Sequence, residues 1–168
     1  MKKTKQALLI LLLTALLLSQ ASAATMVSPR YRLKTLWTRP IARTTTDGAL
    51  SASAADQVVA QVNAERAKAG LSALRVDAEL TRAAQVRARE IVQKFSHTRP
   101  DGTAWNTVSA SAYGENLAMG QKTVDKAMAA WMSSTGHRAN ILRASYGSIG
   151  VCCYVSGGVT YWVQLFGK

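Results

Sequence analysis

Apolar residues recur along this chain with two periods, and the switch between them predicts the order of elements. Val58, Val59 and Val62 form a helical stripe that starts near Ala55, and Gly70 follows as a C-terminal stop. Leu71 and Leu74 fall in the connection. Asp77 is placed to N-cap a second helix, in which Leu80, Ala83, Ala84, Ala88 and Ile91 share one face, with Arg82, Arg87 and Arg89 on the other sides. Thr123 can cap a third helix with Val124, Ala127, Met128 and Trp131 inward. The period then becomes two. Ile149–Val155 and Val159–Phe166 are rich in β-branched and aromatic residues, and Ser156-Gly157-Gly158 between them predicts a hairpin. Trp162 and Phe166 fall on one face of it, Tyr161, Val163 and Leu165 on the other. Both faces are apolar, so the sheet needs cover on both sides. Helices first and a hairpin last predict an α+β fold, helices packed on a short antiparallel sheet.

The first residues follow a different pattern. Lys2, Lys3 and Lys5 precede an apolar run, Ala7 to Leu18, and Ala21-Ser22-Ala23 supplies small residues for a peptidase. That order is a secretory signal, with cleavage expected after Ala23. The run of 12 positions falls short of the roughly 20 a spanning helix needs. Residues 24–54 carry five basic side chains and one acid and show neither period, which reads as a flexible basic arm or linker before a domain at 55–168.

Charge narrows the partners. The net +12 falls to +9 once the three leader lysines leave. Such a surface favours anionic wall polymers or anionic lipid headgroups, and export argues against nucleic acid. The two cysteines, Cys152 and Cys153, are adjacent. Their Cα atoms lie about 3.8 Å apart, below the usual disulfide range, so two buried thiols are expected.

Candidate chemistry rests on three side chains. His97 and His137 lie in turn-rich segments, and Glu115 stands between them in small, apolar surroundings. Two imidazoles, a carboxylate and a water make a zinc-type set, whereas spacings of 18 and 22 residues equally suit histidines that serve their own turns. A Gly-x-Ser-x-Gly elbow is absent from the sequence.

Taken together, Phe95-Ser96-His97, Tyr113-Gly114-Glu115-Asn116-Leu117-Ala118, the run Trp131 to Leu142 containing Gly136-His137-Arg138-Ala139-Asn140, and Ile149-Gly150-Val151 resemble the CAP superfamily of cysteine-rich secretory, antigen 5 and pathogenesis-related proteins. Val62–Arg66 and Leu80–Ala84 resemble its bacterial branch, and the likeness spans roughly residues 56–166. It implies an α-β-α sandwich with a central cleft holding two histidines and two glutamates, and in several members a divalent metal such as zinc. By motif, His97, Glu115 and His137 are the first three and the candidate metal ligands, with Asn116 beside them. The second glutamate position holds Ser134, so the set is incomplete. The resemblance implies a secreted binding or scaffold module with a ligand in its cleft. A metal-assisted hydrolase and a wall-associated structural protein are the alternatives.

Overall fold

The computed structural model describes residues 49–168. The expected leader, and the arm up to residue 48, lie outside the described residues. The elements are β1 (Ala49–Leu50), α1 (Ala52–Lys68), β2 (Arg75–Val76), α2 (Ala78–Gln93), a 3-10 turn (Trp105–Val108), β3 (Gly114–Met119), α3 (Val124–Ser133), α4 (Thr135–Ile141), β4 (Ser148–Ser156) and β5 (Val159–Gly167). Order therefore begins upstream of Ala55. Ser51 accepts a hydrogen bond from the Ala54 N–H and starts α1 at Ala52, and Ala49–Leu50 pair with Val155 and Tyr154 of β4.

The caps act as the sequence predicts. Asp77 accepts from the Leu80 N–H and Thr123 from the Lys126 N–H. Gly70 follows the α1 terminus at φ 71°, and Gly157 and Gly158, at φ 56° and 72°, close the β4–β5 hairpin. Two consecutive positive φ values match the right-handed twist of the strands they join. The sheet runs β1-β4-β5-β3 in antiparallel order, with β2 added to β4 in parallel.

Alternation along the hairpin sends its side chains into two cores. Ile149, Val151, Cys153, Trp162 and Phe166 pack with Val58 and Val62 of α1, Trp131 of α3 and Ile141 of α4. Cys152, Tyr161, Val163 and Leu165 pack with Leu80, Ala84, Ala88 and Ile91 of α2. The result is an α-β-α sandwich. Among the described residues no helix is long and apolar enough to cross a membrane.

Cys152 and Cys153 are free thiols, one in each core. Burial pushes both up to about 12, with the neighbouring Cys153 adding to the effect on Cys152. Because the thiolate is the reactive form, both should be inert in the native protein. Iodoacetamide is expected to add nothing to native protein and two groups after denaturation, read by intact mass. Rapid double labelling of native protein would contradict the buried-thiol assignment.

Candidate functional site

The site is built on α2. Positions 80, 84, 87, 88 and 91 form one stripe, so Arg87 enters the core along with its apolar neighbours and is fully buried. A buried charge is costly unless it is paired and hydrogen-bonded. Arg87 Nε donates to Glu115 Oε2 at 2.8 Å and Nη2 to Glu115 Oε1 at 3.3 Å. Nη1 donates to Glu90 Oε2 at 2.6 Å, and Nη2 also holds the Ser96 carbonyl at 2.7 Å. Glu90 is gripped from its other side by Arg99, at 2.7 Å. Burial alone would raise the Glu90 carboxyl, but hydrogen bonds and charge from Arg99 and Arg87 outweigh it and hold it below its ordinary value. Burial likewise works against the Arg87 charge, and Glu115 and Glu90 more than offset it.

His97 follows the residue whose carbonyl Arg87 holds. Its Nδ1 lies 2.7 Å from Glu115 Oε1. A carboxylate only accepts, so Nδ1 carries the hydrogen and Nε2 is the ring nitrogen left out of this contact. The imidazole is 57% exposed while the Glu115 side chain is fully buried. The structure thus brings His97 and Glu115 into direct contact.

His137 lies on α4, half-buried. Its backbone carbonyl accepts from Asn116 Nδ2 at 3.0 Å. Asn116 is fully buried and sits beneath the site as a support. It also donates to Gln164 Oε1 at 2.9 Å and accepts from Asn140 Nδ2 at 2.9 Å. Burial first, and the charge of His97 second, lower the His137 imidazole from its ordinary 6.5. The folded state thus favours neutral His137. The stability this gives is complete above pH 6.5 and is lost as pH falls through the lower folded value.

Three further side chains hold the free edge of β3. Tyr146 Oη donates to the Tyr113 carbonyl at 2.8 Å, Asn140 Nδ2 to that of Glu115 at 3.2 Å, and Trp131 Nε1 to that of Leu117 at 3.1 Å. An edge strand left with bare carbonyls invites pairing with another chain, and these contacts close it. Beside this edge opens a cavity of about 460 Å³, bounded by His97, Trp105, Tyr113, Glu115, Arg143 and Tyr146. A smaller hollow of about 160 Å³, mostly apolar, lies elsewhere, between β1, α1 and β4.

The cysteine-rich secretory protein (CAP) family model matches residues 59–166. The chain belongs to this family. YkwD of Bacillus subtilis (strain 168) is 38% identical over 134 residues, an alignment that takes in 74% of this chain and 52% of YkwD. The chain thus spans about half the length of that relative. An outer surface protein from Borrelia burgdorferi has the same fold, with a TM-score of 0.64 at 22% identity, covering 72% of this chain and 98% of that one. NaASP2, crystallised with Zn2+, matches at a TM-score of 0.56 and 16% identity over 70% of this chain and 80% of its own.

Ser134, at the second glutamate position, is the joint between α3 and α4: its N–H bonds the Trp131 carbonyl and its carbonyl accepts from Arg138. Glu115 already accepts from Arg87 and His97, so a cation there would share the carboxylate with both. The buried Arg87 charge would oppose that cation as well. Among the described residues no three His, Cys, Asp or Glu side chains are grouped to hold a metal ion. His97, Glu115 and His137 are thus not grouped as a three-ligand set, and the Nδ1 contact makes Glu115 a support of the His97 ring. Arg87, Asn140 and Gln164 shape the site without having been singled out for it from the sequence. Their signal was polarity at positions that the helical and strand periods send inward.

Proposed function

We propose that this protein is an exported CAP module that binds a ligand in the His97 cleft and does not turn it over. The observation that carries this reading is the commitment of Glu115. Its carboxylate, which lines the cleft, accepts three hydrogen bonds from Arg87 and His97 that hold it in a structural role. What remains is a rigid, hydrogen-bonded wall with an exposed imidazole. Export is supported by the leader at residues 1–23 and by the outer-surface description of the Borrelia relative.

The test is a zinc titration by calorimetry beside turnover assays on peptides, esters and wall polymers. Two imidazoles should give zinc less than half of the roughly 10–16 kcal/mol typical of structural zinc sites. No turnover is expected with or without added metal. Turnover that disappears in both His97→Ala and His137→Ala would overturn the binding reading in favour of a metal-assisted hydrolase.

A further inference from the structure

The charges around the cleft do not cancel evenly. Glu115, which lines it, and Glu90 behind it are matched by Arg87 and Arg99. Arg143 at its rim is exposed and has no acidic partner among the described residues. Its guanidinium lies 5.5 Å from the centroid of the Tyr146 ring, and Lys168 Nζ lies 4.4 Å from that of Tyr113. Contacts of this kind orient a cation at a cost in freedom but leave its charge unneutralised.

The rim is also built to stay in place. Arg66 of α1 is buried without a carboxylate and donates to the carbonyls of Ser72, Ile141, Arg143 and Tyr146, at 2.8, 2.9, 3.0 and 3.2 Å. Three of those carbonyls belong to the turn that carries Arg143. Tyr146, below the guanidinium, stacks on Phe166 with centroids 5.4 Å apart. A preorganised cation loses little entropy on meeting an anion. Trp105 and Tyr113 add partly exposed flat rings with polar edges to the same wall.

We propose that the cleft takes a carboxylate-bearing oligosaccharide, with Arg143 selecting its charge and the Trp105 and Tyr113 rings receiving sugar faces. This rests on the binding reading above and supplies its ligand class. The net positive charge of the chain would draw such a polyanion towards the cleft.

The test uses three probes on the mature protein at low salt: an oligosaccharide alternating N-acetylglucosamine with glucuronate, a neutral N-acetylglucosamine oligomer, and oligoglutamate. Affinity is read by calorimetry, and location by the NMR signals of the Trp105 indole and the His97 ring. The carboxylated sugar should bind about tenfold or more tighter than the neutral one, and Arg143→Gln should remove most of that margin. Arg143→Lys should keep a large part of it. Both variants should melt with the parent, because the side chain is exposed. Equal binding of the charged and neutral sugars, or indifference to Arg143→Gln, would overturn the charge assignment. If the Trp105 and His97 signals still shift in that case, cleft binding itself survives. Tighter binding of oligoglutamate would overturn the saccharide class, and no shift with any probe would overturn the proposal as a whole. Cleavage of the sugar would instead defeat the binding-only reading, and the Arg143 effect would then be read in KM.

Discussion

Gly150→Ala is expected to unfold the protein or bring it close to unfolding. A Cβ at this position would lie 2.1 Å from the Leu80 carbonyl carbon, 2.3 Å from the Thr81 nitrogen and 2.4 Å from the Leu80 oxygen. All three are backbone atoms of the first turn of α2. No rotamer change can relieve the overlap, so the helix itself must move. That turn is tied down by the Asp77 cap and the Thr81 N–H bond to the Asp77 carbonyl. Overpacking commonly costs about 1–3 kcal/mol and occasionally more, and a clash with fixed backbone belongs at or beyond the upper end. Gly147→Ala is the control. Its nearest contact would be an ordinary 3.6 Å, and a change within about 1 kcal/mol is expected. Urea unfolding of both variants measures the difference. Equal midpoints would show that α2 does not rest on β4 as closely as the geometry states. Any displacement of α2 also carries Arg87 away from Glu115, so the site should fail together with the fold.

The parts of the fold that were legible in the sequence are those where burial alone chooses the residue type. Val58 and Val62, the stripe Leu80–Ile91, Val124–Trp131 and the two-faced hairpin all follow that rule. Elements set by local partners were harder to see. β3 is Gly-Glu-Asn-Leu-Ala-Met, with no β-branched residue, and it is held as an edge strand by Trp131, Asn140 and Tyr146 from distant segments. α4 has only seven residues, with Gly136 in its first turn, so its composition resembled a turn. β1 fell inside the stretch assigned to the basic arm, because two residues carry no period. In the site, spacing could not decide whether His97 and Glu115 meet; the motif order implied it, and the 2.7 Å contact shows it. A charged residue such as Arg87 suits an outer side of its helix. Its helical position points inward, and the partners that permit this lie 3, 9 and 28 residues away.

Arg87→Met should cost about 3–5 kcal/mol, since removing one partner of a buried ion pair strands the other. For a domain of this size that is a fall in Tm of roughly 10–20 °C. Methionine fills most of the volume, so lost packing is a small part of the effect. Glu115 would keep only His97, Glu90 would keep only Arg99, and the Ser96 carbonyl would lose its donor. The pH dependence separates this cause from a general loss of packing. In the parent, Glu90 is held below its ordinary 4.5, so its contribution is present above that value and lost as pH falls through the lower folded one. The variant lacks much of that contribution to begin with. Its deficit against the parent should therefore be largest at neutral pH and shrink below about pH 4.5. Glu115→Gln supplies the second arm of a double-mutant cycle. With the carboxylate neutral, loss of Arg87 should hurt less, giving a coupling of about 1–3 kcal/mol between the two positions. A variant deficit that stays constant with pH, with no coupling to Glu115→Gln, would reject the ion-pair role and leave Arg87 as a packing residue. If the coupling is found, the same variants carry the argument to the cleft. The His97 ring should lose its fixed orientation in Arg87→Met even where the fold survives, because the charge that pins Glu115 also sets the imidazole that Glu115 holds.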